Sequence, residues 1–307
     1  MHDNYFLWKD EAVSRYVLGT AQLGFDYGIS NKYGRPGREE ANSIINSAWA
    51  MGARAFDTAR GYGESELVLG ELLHSNNYID SSAIITKITP LSADPDGYSW
   101  VRRSIEQSIQ LLHTPSLWAV LLHRFDMLEQ WEEGLGSILN ELKAENKVKH
   151  LGVSVYTVEE VKNALKYSDI DIIQAPCNIW SPELYTEGII KDALESGKLI
   201  LIRSLFLQGL ILMSPDEVLE KMPIAHDASV EWFDILEENE VSAWDMCMRF
   251  AAQLKVPVIL GADNAEQAYL NGSFLDMQSL NLSEIKDIHE RLRPYLSEKI
   301  VNPTMWK

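Results

Sequence analysis

The chain has 307 residues with 45 acidic against 27 basic side chains, a formal charge of -18 and a sequence pI near 4.8. Its apolar fraction of 46% suffices for a large core, and its excess acid repels phosphate backbones and anionic lipid, which argues against nucleic-acid and membrane-surface partners. No apolar run reaches the roughly 18 residues of a membrane span. The start, Met1-His2-Asp3-Asn4-Tyr5, lacks the basic stretch and apolar block of a signal peptide, and two cysteines, Cys177 and Cys247, exclude a disulfide framework or a cysteine-built metal site. The expectation is a soluble cytoplasmic protein.

In chain order, short apolar, β-rich runs fall at 17–20, 55–57, 83–87, 117–123, 151–155, 170–175, 199–204 and 256–261. Stretches of helical period lie between them, including 39–51, 64–73, 98–112 and 131–145. Strands so apolar, without polar alternation, are buried on both faces and imply a parallel sheet covered by helices. Eight such units predict a (β/α)8 TIM barrel. A doubly wound sheet is the competing fold, but the turn Ala21-Gln22-Leu23-Gly24-Phe25 carries no G-x-G-x-x-G. No linker or change of composition appears, so residues 1–307 read as a single domain. The seventh unit is enlarged by helical stretches at 213–225, 229–238 and 243–254, and a terminal helix follows at 282–296.

In such a barrel, functional side chains sit at the C-terminal ends of the strands. Asp57 ends the second run, with Tyr62 five residues on. Lys87 ends the third run and His123 the fourth. An acid, a phenol, an amine and an imidazole thus converge on one mouth. A free tyrosine has a pKa near 10. A neighbouring ammonium lowers it, and a carboxylate keeps that ammonium charged and in place. The expected result is a tyrosine that exchanges a proton with an oxygen near neutral pH, while the imidazole orients the same oxygen. No nucleophile is present, so the set suits a carbonyl gaining or losing a hydride.

Phe56-Asp57-Thr58-Ala59-Arg60-Gly61-Tyr62-Gly63-Glu64-Ser65-Glu66 resembles the first signature of the aldo-keto reductase superfamily. Thr86-Lys87, Leu121-Leu122-His123, Leu151-Gly152-Val153-Ser154 and Gln174-Ala175-Pro176-Cys177-Asn178 are similar to its later motifs, and the match runs from Gly19-Thr20 to Asn271. The resemblance implies a barrel that binds NAD(P)H across its mouth. It makes Tyr62 the general acid/base, Lys87 and Asp57 its tuning pair and His123 the residue that orients the carbonyl. It makes Ser154 and Gln174 partners of the nicotinamide carboxamide, with Val155 standing where the family usually has Asn. In Arg203-Ser204-Leu205-Phe206-Leu207-Gln208-Gly209, Arg203 takes the place of a stacking aromatic, and Ser204 and Gly209 fall in the cofactor loop. Two readings of Arg203 stay open: stacking on the nicotinamide, or facing a substrate carboxylate or phosphate.

The segment from Gly261 through Asp263, Asn264 and Gln267 to Asn271 resembles the adenosine-phosphate loop but has no Arg or Lys. Asp263 repels a 2′-phosphate and suits a free 2′-hydroxyl, so NAD(H) is tolerated, while backbone amides leave NADP(H) open. The resulting expectation is an NAD(P)-dependent oxidoreductase acting on a small carbonyl or alcohol, with a polar, sugar-derived or anionic substrate. A nucleotide-sensing scaffold and a cofactor-free lyase or isomerase are the alternatives. Glu64 and Glu66 read as helix first-turn acids, Cys177 as a packing residue, and Trp180, Trp232 and Trp244 as core or rim. His74, His113, His150 and His289 lack ligand-like spacing, so no metal is expected.

Overall fold

The protein is described from a computed structural model covering residues 4–89 and 98–306; Met1 to Asp3, part of the segment read as lacking a signal peptide, lie outside these. It begins with an antiparallel hairpin, β1 (Tyr5–Trp8) and β2 (Glu11–Ser14). Lys9 and Asp10 both have positive φ at its turn, as the right-handed twist of a two-residue hairpin demands. Then come β3 (Tyr16–Gly19), β4 (Ala55–Asp57), β5 (Ala83–Ile88), β6 (Leu117–Leu122), β7 (Val148–Ser154), β8 (Ile172–Pro176), β9 (Leu199–Arg203) and β10 (Val258–Leu260). They pair in parallel, in the order β10-β3-β4-β5-β6-β7-β8-β9, and close into a barrel. This is the (β/α)8 fold.

The crossovers are α1 (Arg38–Ala50), α2 (Ser65–Ser75), α3 (Ser99–Leu111), α4 (Gly136–Ala144), α5 (Val158–Ala164) and α6 (Ile189–Glu195). After β9 come α7 (Pro215–Lys221), α8 (His226–Glu238) and α9 (Ala243–Leu254), then α10 (Ala265–Asn271) after β10 and α11 (Leu282–Leu292). The seventh unit is enlarged as its sequence suggests. Capping boxes at Thr157/Glu160, Ser214/Glu217 and Asn281/Glu284 start α5, α7 and α11. The helix expected over 131–145 is broken: Trp131–Leu135 forms a separate wide turn with Gly134 at φ 128°, and the regular helix begins at Gly136.

Helices pack on the outside of the barrel around a large apolar cluster, while Val17, Ala55, Ile85, Leu121, Ile172, Leu201 and Ile259 form a separate cluster within it. Side chains on a strand alternate faces with period two. The next inward positions are therefore Gly19, Asp57, Lys87, His123, Gln174, Arg203 and Gly261, with Ser154 in the same layer on β7. The hairpin closes the opposite end: Trp8 and Val13 join the inner cluster, and Glu11 accepts from Trp118 and pairs with His150 and Lys149.

The short turn Ala21–Gly24 lies against the loop that carries Tyr62. A Cβ on Gly24 would stand 1.6 Å from the Tyr62 carbonyl oxygen, so only glycine fits. Gly24→Ala is expected to cost about 1–3 kcal/mol through overpacking, read as a lower urea midpoint, and to reduce turnover by displacing Tyr62; an unchanged midpoint would refute this contact.

Candidate active site

One cleft at the C-terminal end of the barrel is lined by Gly19, Thr20, Asp57, Tyr62, Lys87, His123, Ser154, Gln174, Arg203, Ser204, Gly209, Gly261, Asp263, Gln267 and Asn271. The structure thus brings together all the side chains singled out from the sequence, apart from Asn264, which caps α10 instead. Phe25 meets the Tyr62 ring edge-on at 6.0 Å and His123 meets it at 5.8 Å, which fixes the phenol between two walls.

Lys87 is 1% exposed, and its Nζ donates to both Asp57 carboxylate oxygens at 2.7 Å and to the Thr58 carbonyl at 3.0 Å. The Tyr62 hydroxyl stands 3.5 Å from the same Nζ, at the outer edge of hydrogen bonding. Burial pushes the Lys87 ammonium below its usual range, opposed by Asp57. The electrostatics depart from the expected tuning. Burial, followed by the Asp57 charge, pushes the Tyr62 phenol well above its ordinary value rather than down toward neutrality. Asp57 cancels most of the field that Lys87 would exert, and desolvation opposes the phenolate. His123 is held neutral: burial first, then Lys87 and Arg203, bring its pKa down to about 3.

Beneath these groups lies a network not foreseen from the sequence. Glu66 is not a solvated first-turn acid: it is 2% exposed, pairs with Arg60 at 2.6 Å and accepts from the Thr86 hydroxyl at 2.7 Å. The Arg60 amide donates to the Lys87 carbonyl at 3.0 Å. The Tyr62 loop is therefore tied to β5 on both sides of Lys87. Spacing alone offered no signal for this, because an acid in the first turn of a helix is ordinarily exposed.

The other half of the cleft presents polar groups that could hold an amide. Gln174 donates from Nε2 to Asp57 at 2.7 Å, which leaves its carbonyl oxygen as an acceptor. Ser154 has no side-chain partner among the described residues, so its hydroxyl is available too. A nicotinamide carboxamide, with an N–H donor group and a carbonyl acceptor, could be held by this pair. Arg203 donates to the Val155 carbonyl at 2.8 Å and the Ser204 hydroxyl at 3.1 Å, and lies 4.2 Å over the Tyr156 ring. Gly209 has φ 92°, and a Cβ there would strike the Ser30 side chain.

The loop at 261–271 is braced internally. Asn271 is buried and donates to the Gly261 carbonyl at 2.9 Å, which braces the loop. Gln267 accepts from the Asp263 amide at 2.8 Å. The Asn264 side chain accepts from the Gln267 amide, and Glu40 of α1 accepts from the Ala265 amide at 2.9 Å. Two of the first three amides of α10, those of Ala265 and Gln267, are therefore taken by protein acceptors, one of them a carboxylate. Burial also pushes the Asp263 carboxyl upward.

Residues 15–292 match the profile of the Aldo/keto reductase family. The chain belongs to the aldo-keto reductase family. It is 26% identical to D-arabinose 1-dehydrogenase of Saccharomyces cerevisiae over 94% of this chain and 91% of that protein. Its fold is similar to the glycerol dehydrogenase of Gluconobacter oxydans, with a TM-score of 0.73 at 19% identity over 96% and 97% of the two chains. It is also similar to an aldo-keto reductase from Klebsiella pneumoniae solved in complex with NADPH, with a TM-score of 0.67 at 17% identity over 94% and 95%. As a family member it is an oxidoreductase acting on carbonyl and alcohol substrates.

Several lining residues of this aldo-keto reductase were not singled out from the sequence, among them Gln22, Tyr27 and Tyr156. Trp244 belongs to the cleft, whereas Trp180 and Trp232 are fully buried and meet edge-on at 6.4 Å. Tyr27, with its phenol pushed up to about 12 chiefly by burial, sits in the first loop, where nothing in the local sequence marks it. Cys177 is buried, with its thiol pushed up by desolvation. Among the described residues no group of three or more His, Cys, Asp or Glu is placed to hold a metal, and no helix is long and apolar enough to cross a membrane.

The depressed His123 gives a stability test. Between about pH 6.5, the unfolded value, and about 3, the folded one, the unfolded chain binds the extra proton, so stability is lost as pH falls. Urea midpoints of the wild type should drop more between pH 7 and 4 than those of His123→Asn. Equal drops would overturn the buried neutral imidazole.

Proposed function

We propose that this aldo-keto reductase interconverts an aldehyde or ketone and an alcohol by direct hydride transfer, with Tyr62 as general acid/base. The observation that carries this reading is the convergence of the Tyr62 hydroxyl, the buried Lys87–Asp57 pair and neutral His123 on one cleft. A bound nicotinamide supplies the hydride in reduction and takes it up in oxidation. As negative charge develops on the carbonyl oxygen, the Tyr62 hydroxyl gives that oxygen its proton, and the N–H of neutral His123 donates a hydrogen bond to it. Lys87 supports the phenolate left behind, while Asp57 keeps Lys87 charged and fixed. The raised phenol pKa means the proton stays on Tyr62 until the substrate oxygen becomes the stronger base.

Tyr62→Phe should lower turnover by at least about 100-fold and leave NADH binding intact by fluorescence titration. Retained turnover, or NADH binding without turnover of any carbonyl by the wild type, would sink the mechanism. Because burial favours the phenol, alcohol oxidation should rise with pH from 7 to 10, whereas carbonyl reduction should stay level over pH 6 to 8. A bell centred near neutrality in both directions would count against Tyr62.

Cofactor choice follows from the α10 end of the cleft. Glu40 occupies the Ala265 amide, Asp263 stands beside it, and 261–271 contains no Lys or Arg. A 2′-phosphate there would meet carboxylates where a helix N-terminus would otherwise offer free amides, which supports NAD(H) as the preferred cofactor. NADH should bind at least about tenfold more tightly than NADPH, the size of one unfavourable surface charge contact; the reverse order would refute the assignment. The relation to D-arabinose 1-dehydrogenase supports a sugar-derived substrate oxidised or reduced at its carbonyl carbon.

A further inference from the structure

Arg203 ends β9 in the inward layer shared with Asp57, Lys87 and His123, and lines the same cleft. Its surroundings differ from those of Lys87 in the cleft and of Arg60 in the adjoining loop. Lys87 has both oxygens of Asp57, and Arg60 has Glu66. Arg203 has only neutral partners: the Val155 carbonyl, the Ser204 hydroxyl and the face of Tyr156. No carboxylate among the described residues stands within ion-pair distance of it. A guanidinium carries five N–H donors, and these contacts use two.

The charges around the reaction centre therefore do not cancel. Asp57 neutralises Lys87, and His123 stays neutral, held down in part by Arg203 itself. Among Asp57, Lys87, His123 and Arg203 one positive charge remains, the cleft's other carboxylate, Asp263, lying beyond ion-pair distance of Arg203, in a chain with 45 acidic side chains against 27 basic ones. Holding a half-buried cation without a counter-ion is costly unless a ligand supplies one. Stacking on the nicotinamide explains this poorly: Tyr156 already covers one face of the guanidinium, and an oxidised nicotinamide ring is itself cationic. A planar fork held by neutral acceptors on two of its N–H groups is suited to an anion of carboxylate or phosphate geometry.

We propose that Arg203 determines specificity by reading a carboxylate or phosphate carried by the substrate, so that the substrate class is an anionic sugar derivative, a sugar acid or sugar phosphate, rather than a neutral aldose. The proposal rests on the hydride-transfer reading for its location, but its test does not require turnover. In steady-state assays with NAD(H), matched pairs are compared: D-arabinose 5-phosphate with D-arabinose, and D-glucuronate with D-glucose. In parallel, equilibrium binding of succinate and of succinamide to the protein is followed by quenching of intrinsic fluorescence. The wild type should prefer the anionic member by about 10- to 100-fold in kcat/KM, as one charge-assisted contact allows. In Arg203→Met the ratio should collapse toward one, chiefly through KM, and in Arg203→Lys part of it should return, since an ammonium keeps the charge without the fork.

A preference confined to the phosphate or the carboxylate pair names which anion is read, and supports the proposal either way. Succinate binding lost in Arg203→Met, with no carbonyl turned over by any variant, keeps the anion site and removes the hydride-transfer reading. Equal use of neutral and anionic members by the wild type overturns the proposal. So does a loss of NADH affinity of tenfold or more in Arg203→Met, which would assign the guanidinium to the cofactor's own phosphates.

Discussion

A strand in a closed barrel has only two directions for its side chains, and the choice alternates at every residue. Once Val17, Ala55, Ile85, Leu121, Ile172, Leu201 and Ile259 are committed to the barrel interior by their burial, the residues two positions later have no freedom: they must point into the mouth. That constraint, rather than any loop conformation, brings Asp57, Lys87, His123, Gln174 and Arg203 from distant parts of the chain into one layer. The apolar layer beneath gives the chemistry its rigid floor. It also keeps water from the underside, so the charged groups above interact in a medium of low polarizability, where fixed dipoles count for more.

Within that layer the buried Lys87–Asp57 pair is expensive to build. Its cost is offset by completeness: both carboxylate oxygens and most of the ammonium donors are used, and Gln174 adds a further donor to Asp57. The same completeness explains why the phenol is not acidified. A lysine whose field is matched at 2.7 Å has little left to lend a hydroxyl at 3.5 Å. In the mechanism we propose, the site would hold its proton firmly and release it to a base created by the reaction, a different design from one in which the acid is poised in the resting state.

Much of this could be read from the chain. The eight apolar runs located the strands to within a few residues, and the polar residues ending the second, third and fourth runs, Asp57, Lys87 and His123, located the layer, because an ionisable group adjoining a fully apolar strand has few other tolerable places. What escaped reading depended on partners distant in sequence. The hairpin Tyr5–Ser14 turns on Lys9-Asp10, without the Asn-Gly or Asp-Gly pair that usually marks such turns, and Leu7 lies 72% exposed, so its alternation is blurred. Glu66 stands in a helix first turn as expected, but its burial against Arg60 and Thr86 had no local signal. Gly134 broke a helix whose period continued across it. The direction of the Tyr62 shift was misjudged because pairwise proximity was visible and desolvation was not.

The barrel's seam lies where its first and last strands meet: β10 pairs with β3, the Tyr16 hydroxyl donates to the Ala268 carbonyl at 3.0 Å, and Glu40 reaches Ala265. In the order of synthesis this seam closes last. A nascent chain of some 250 residues already holds Asp57, Tyr62, Lys87, His123 and Arg203, yet its sheet still has two open edges and one wall of the cleft is absent. A three-residue strand, Val258–Leu260, then converts an open, adhesive sheet into an edgeless one. The complete cleft and the absence of open sheet edges thus depend on the same short strand.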